Sequence, residues 1–478
     1  MNNPYLNRRT LLSKIGTGMG TLGLAGLLHD EGLLARELTG AERGSPPSGT
    51  GSALALKQPH FPPKAKRIIH LFMNGGPSQV DTFDPKPMLE KHHGKRPPGA
   101  DLKTERGTGG LLKSPFKYTN CGESGLPVSE IFPEVGKCVD DLCIIRSMHT
   151  DVPNHEPSLL MMNSGITQPT RPSMGSWLSY GLGNENQNLP GFVVMTSVGG
   201  RNPQPIASRQ WAAGFLPSQF QGVEFNAAGN PVHFVRNPAG VSSANQRHLI
   251  DSINQLNQHR NKVVLNPETH TRIDAYEMAF RMQKAVPDLV DFSDEPQHVL
   301  DMYGATPGDG SFASNCLLAR RLAERGVRFI QLYHRGWDHH GDLKKYMGIC
   351  CGLTDKPTWA LVEDLKQRGM LDDTLVIWGG EFGRTPMFQG KGGIGRDHHI
   401  KGFSMWMAGG GVRGGTQYGA TDELGYHAVE DVVHVRDLHA TMLHMFGIDH
   451  QRFQVPFQGL DMKLTGVEPA RVVKEILI

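Results

Sequence analysis

Acids and histidines gather in five short stretches of this chain, each beside a short apolar run. The richest reads His334-Arg335-Gly336-Trp337-Asp338-His339-His340-Gly341-Asp342. Two more are Gly379-Gly380-Glu381-Phe382-Gly383-Arg384-Thr385-Pro386 and Gly395-Arg396-Asp397-His398-His399. The last two are His149-Thr150-Asp151-Val152-Pro153-Asn154-His155-Glu156, and Asn74 followed by Asp81 and Asp84. Carboxylate oxygens and imidazole nitrogens hold divalent metals by charge and lone-pair donation, so the chemistry they suggest is a metal centre. The plainer alternative is that Asp338 and Glu381 cap the helices that follow while the histidines bond to backbone carbonyls. Capping gives no reason for so many imidazoles at one edge.

The elements that must position these stretches are short apolar strands. Arg67 to Met73 is such a run, ended by the tight turn Asn74-Gly75-Gly76-Pro77-Ser78. Leu142 to Arg146, Phe192 to Met195, Val327 to Tyr333, Thr374 to Trp378 and Phe403 to Ala408 read the same way. Helical spacing runs from Asn315 to Arg325 and again from Pro357 to Arg368, each stopped by a glycine before the next strand. Helices alternating with non-alternating apolar strands predict an α/β fold: a mostly parallel sheet covered on both faces, with ligands at the carboxyl ends of its strands. Residues 196–310 are less regular, with polar helical segments around Ser243 to Leu256 and Thr271 to Lys284, and read as an inserted cap.

Composition narrows the function classes. The chain has 478 residues, with 49 Lys plus Arg against 47 Asp plus Glu and no basic tract, which argues against nucleic acid as a partner. Arg8-Arg9-Thr10-Leu11-Leu12, with Lys14 behind it, precedes an uncharged, weakly apolar stretch from Ile15 to Leu28. That stretch is shorter than the roughly 20 residues that span a bilayer, so it reads as a twin-arginine export signal over 1–38, with an amphipathic starter helix as the alternative. The expected location is periplasmic or extracellular, and the export machinery is an expected partner. Residues 39–63 read as a flexible linker and 64–478 as the folded domain. Cys121, Cys138, Cys143, Cys316, Cys350 and Cys351 show no zinc-ribbon spacing; a disulfide among the first three and plain buried thiols both fit.

The order and flanks of these turns resemble the alkaline phosphatase and sulfatase superfamily, and more closely a twin-arginine-exported branch of it, a domain of unknown function often labelled sulfatase. The closer likeness rests on Asn74 to Lys86, Gly336 to His340, Gly379 to Pro386, Gly395 to His398 and Arg436-Asp437-Leu438-His439-Ala440-Thr441. The resemblance implies a three-layer α/β sandwich and one firm metal site, zinc or manganese ahead of calcium, on Asp338, His340 and His398. His339 competes with His340 there, and His399 with His398. A second metal would use Asn74, Glu381 and Phe382, where the superfamily has an Asp and then an Asp-His pair. An amide and a phenyl ring weaken that site unless Asp81 swings in.

The nucleophile position of the superfamily falls on His155 in His155-Glu156-Pro157-Ser158-Leu159, which excludes formylglycine chemistry there. His155 is then a nucleophile, a third imidazole ligand or a general acid, and Ser78 is the rival nucleophile. Arg384 and Lys391 are the expected clamp on ester oxygens. The implied activity is metal-dependent hydrolysis of phosphate or sulfate esters, with a small anionic ester or a sulfated polysaccharide as substrate. The alternative from another class is a non-catalytic exported binding or envelope-assembly protein on the same scaffold.

Overall fold

The computed structural model describes residues 54–96, 107–199, 206–226, 228, 231–232, 237, 240–264, 267–389 and 394–478. The twin-arginine segment and Lys391 lie outside them. A nine-stranded sheet forms the centre. Its strands are β1 (Arg67–Met73), β2 (Leu142–His149), β3 (Phe192–Thr196), β4 (Val223–Phe225), β5 (Phe329–His334), β6 (Thr374–Gly379), β7 (Phe403–Ala408), β8 (Thr416–Tyr418) and β9 (Val433–His434). They are ordered β8-β2-β7-β6-β1-β5-β3-β4, with β9 pairing β2. All neighbours run parallel except β7, which is antiparallel to both β2 and β6.

Two hydrophobic clusters lie one on each side of this sheet, because successive side chains of a strand point to opposite faces. Ile69, Leu71 and Met73 of β1 join the first cluster, with helices α4 (Pro267–Val290), α5 (Phe312–Glu324) and α6 (Leu343–Gln367). Ile68 and Phe72 of β1 join the second, with helices α1 (His155–Ser164), α2 (Met174–Leu182) and α7 (Val435–Met445). Burial on both faces explains why the strands are continuous apolar runs, and helix, sheet, helix is the three-layer sandwich expected.

The structure departs from the expected elements where local signals mislead. The helix expected to start at Pro357 is α6, which begins at Leu343 and carries Pro357 inside it. A proline is a common first helical residue, but here the buried face through Met347, Cys350, Cys351 and Thr354 carries the helix across the missing N–H. Asp437 is the third residue of α7. It accepts the His434 backbone N–H in a capping box whose cap is His434. Part of the 196–310 region belongs to the sheet as edge strand β4; much of the rest is α3 (Ser243–Val264) and α4, packed on each other.

The segment read as linker is already part of the packed body from Leu54. Leu54 is buried, Asn184 N–H donates to its carbonyl at 2.8 Å, and His60 N–H donates to Gly447 O at 2.8 Å. All six cysteines are free thiols. Among the described residues no helix is long and apolar enough to cross a membrane.

Candidate metal centre

Strands β1, β5 and β6 lie side by side and parallel, so the turns after them emerge at one edge. The turn after β1 is forced close to the turn after β5. Gly75 has φ +124°, and a Cβ there would lie 2.5 Å from the backbone nitrogen of Asp338, so only glycine permits the approach. His155 arrives from the other side as the first residue of α1, capped by Asn154 in extended conformation.

These elements bring His155, Asp338, His340 and His398 together, with one ligand atom from each within 4.8 Å of the others. Three imidazole Nε2 atoms surround a single carboxylate oxygen. Asp338 Oδ1 is 2.8 Å from His340, 3.2 Å from His398 and 3.4 Å from His155. Three imidazole nitrogens and a carboxylate oxygen gathered this closely are the donor types that could hold a divalent ion. The site is open on one side: the His155 and His340 side chains are 13% and 20% exposed, whereas that of His398 is 3% exposed.

The groups behind these four set their orientation. Glu381 Oε1 is 2.7 Å from His155 Nδ1, and the same carboxylate accepts the Gly75 N–H at 3.0 and 3.1 Å. The His340 Nδ1 bonds to Gln389 Oε1. With both Nδ1 atoms engaged at acceptors, the Nε2 lone pairs are left for a metal. Arg384 Nη2 reaches Asp338 Oδ1 at 2.5 Å. Phe382 packs its ring on His398 and His155, with centroids 4.6 and 5.1 Å apart.

Charge follows this geometry. Burial alone would favour the neutral acid at Asp338, but the Arg384 guanidinium and hydrogen bonds from the three imidazoles hold it far below the usual carboxylate range. Burial alone would lower the His155 pKa, yet hydrogen bonds and attraction from Asp338 and Glu381 carry it to about 9 in the metal-free protein. His398 goes the other way, to about 3, through burial against the weaker pull of Asp338.

Several sequence expectations meet a different geometry. Glu381 stands behind His155 and is held by Gly75, so it orients an imidazole and is not itself a member of the cluster. Asp81 is taken by Arg396, at 2.6 Å to Nε and 3.0 Å to Nη2, and both side chains are fully buried; it cannot swing in as a ligand. Ser78 is sealed and donates its hydroxyl to Asp81 at 2.5 Å, which removes it as a rival nucleophile. Arg384 is fully buried, with Nε on Gly76 O, Nη1 on Arg396 O and Nη2 shared by Gly75 O and Asp338. It ties the turns together and offsets the Asp338 charge instead of facing an incoming anion. Lys391 lies outside the described residues.

Between the competing neighbours the geometry decides by direction. His339 points into the core, with Nε2 3.7 Å from Cys350 Sγ, and His399 bonds to Tyr426 O. Asn74 ends β1 fully buried, and neither atom of its amide has a partner among the described residues. Two functional residues were missed. Arg396 sits in the quoted Gly-Arg-Asp-His phrase, where a lone arginine beside His398 was the available signal; it locks the His398 loop to the turn after β1 through Asp81. Gln389 had no signal, since nothing local distinguishes it from a surface glutamine.

The pattern of one family, "Protein of unknown function (DUF1501)", matches residues 65–477, and the chain belongs to that family. No curated protein matches the chain. Among solved structures it is similar to a sulfatase from Pseudoalteromonas sp., at 14% identity over 82% of this chain and 68% of that one, TM-score 0.34. It is also similar to a phosphonate monoester hydrolase from Silicibacter pomeroyi, at 11% identity over 72% and 71%, TM-score 0.32. A third is a protein of the alkaline phosphatase superfamily from Vibrio parahaemolyticus, at 9% identity over 83% and 70%, TM-score 0.34.

Proposed function

We propose that this DUF1501 chain is a metal-dependent hydrolase of phosphate or sulfate esters that works with one divalent ion. The observation that carries the reading is the meeting of three imidazole Nε2 atoms on Asp338 Oδ1 at the carboxyl ends of parallel strands, where α/β sheets bind ligands. Zinc or manganese bound by His155, Asp338, His340 and His398 would supply Lewis acidity toward an ester oxygen and a nucleophile at neutral pH.

The chain's own groups have defined parts. Glu381 holds the proton on His155 Nδ1, and Gln389 holds it on His340 Nδ1, so each ring keeps its other nitrogen for binding. Arg384 lowers the cost of a buried Asp338 carboxylate. Phe382 closes one wall and keeps water from the imidazoles it covers. The open side, between His155 and His340, is where an ester would enter. The part first given to Arg384 in gripping the ester passes to groups facing that side, and Lys391 stays a candidate. Export by the twin-arginine route, in the folded and loaded state, belongs to the same proposal.

The test is metal analysis of protein folded in the cytoplasm, followed by assay on aryl phosphates and aryl sulfates. We expect about one equivalent of metal and turnover that disappears in Asp338→Ala and His398→Ala. Turnover retained in both variants would overturn the reading. Metal without turnover at zinc, manganese or iron would favour an exported binding protein, a reading that Asn74 and Phe382 at the places of second-metal ligands also favour.

A further inference from the structure

A cavity of about 390 Å³ lies where α3 and α4 cover the amino-terminal ends of β3 and β4. Phe192 opens β3 and Val223 opens β4, so the cavity is at the other end of the sheet from the turns that carry Asp338 and Glu381. Its size falls within the roughly 300–1,000 Å³ of small-molecule sites. Phe192, Phe220, Val223, Met278, Ala279 and Met282 give it a largely apolar wall.

Polar residues interrupt that wall, among them Ser179, Asn184, Gln219 and Gln246. Ser179 Oγ, Asn184 Oδ1, Gln219 Oε1 and Gln246 Oε1 are buried and have no hydrogen-bond partner among the described residues. Ser179 and Asn184 are each only 2% exposed. Buried polar atoms are nearly always paired, and leaving one unpaired costs its full desolvation penalty, so four around one space call for a partner that enters it. Three of the four are amide oxygens, which only accept, and the hydroxyl can accept as well.

We propose that this cavity is a binding site for a compact apolar molecule that carries N–H or O–H donors, such as an aromatic or alicyclic amine or alcohol. Apolar area supplies the driving force and the four oxygens select for donors. The inference is independent of the hydrolase reading, since it shares no residue with the metal centre.

Indole and benzothiophene test it, because the two bicycles share a shape and only indole carries an N–H. Titrated into the full chain with ligand-observed NMR, indole is expected to bind saturably and about tenfold more tightly than benzothiophene. Ala279→Trp, at an exposed position on the rim of the cavity, should abolish binding of both probes while circular dichroism and thermal unfolding stay unchanged. Absence of saturable indole binding, equal affinity for the two probes in the unaltered protein, or indole binding unaffected by Ala279→Trp would each overturn the proposal.

Discussion

Glu381 Oε1 lies 2.7 Å from His155 Nδ1, a carboxylate aimed at an imidazole whose opposite nitrogen faces Asp338. This is the arrangement by which a second group fixes the tautomer and rotation of a metal-binding histidine. Glu381→Gln keeps the size but weakens the acceptor, so metal affinity should fall by about 10- to 100-fold, with a matching loss of turnover at limiting metal. Competition titration against a chromophoric chelator measures it, and an unchanged affinity would show that His155 needs no such support.

Metal binding should also depend on pH. In the metal-free protein His155 carries its second proton up to about pH 9, and that proton must leave before Nε2 can bind. Affinity should therefore rise about tenfold per pH unit from 7 to 9 and level off above, with close to one proton released per metal at pH 7. Isothermal titration in buffers of different ionisation enthalpy counts that proton. No release at pH 7 would place His155 outside the ligand set.

Ser78 and Asp81 separate structure from chemistry. Ser78→Ala removes a buried hydrogen bond to Asp81 and should cost about 1 kcal/mol of stability while leaving kcat within about twofold. Arg396→Met strands the buried Asp81 carboxylate and should cost about 3–5 kcal/mol, and Arg396→Met with Asp81→Leu together should recover much of it. Denaturant unfolding gives both numbers. A Ser78→Ala protein that is folded but inactive would restore the serine as nucleophile.

Acid should unfold this protein through histidines buried outside the cluster. His70 lies in mid-strand β1, where burial, then repulsion from His439, lowers its pKa to about 3. Burial lowers His439 to about 4 and His334 to about 4. Each stays neutral in the fold while the unfolded chain takes up a proton below about pH 6.5, so their contribution is complete above 6.5 and falls as pH drops toward 4. Per group the slope is up to about 1.4 kcal/mol per pH unit in that window. Unfolding free energies measured from pH 7.5 to 4.5 should show the decline, and His70→Leu should make it shallower. A flat profile would mean that these rings gain protons without cost.

How much of the site was legible follows from the range of each interaction. Strand β7 was read end to end, as Phe403 to Ala408, because burial on both faces writes itself into consecutive residues. The turns were legible too, since Asp338, His340, His398 and Glu381 stand just beyond or just before those runs. What each side chain does there was not. His339 and His340 are adjacent in the chain, and only the packing of α6, which sets Cys350 beside His339, turns one imidazole inward and leaves the other at Asp338.

The amino-acid order by itself determined that apolar strands alternate with helices and that metal-binding groups end several of them. Both properties are local, set by hydrophobic pattern and by which residue follows which. Tertiary structure decided which acid joins the imidazole cluster and which groups stand behind it: Asp338 meets three imidazoles, Asp81 pairs with Arg396, Glu381 backs His155, and Arg384 grips two backbone turns. Those choices join residues more than two hundred positions apart, with |i−j| of 226 for His155 and Glu381 and 315 for Asp81 and Arg396. A carboxylate's role depends on which cation or imidazole lies within about 3 Å of it, and sequence spacing carries no record of that distance.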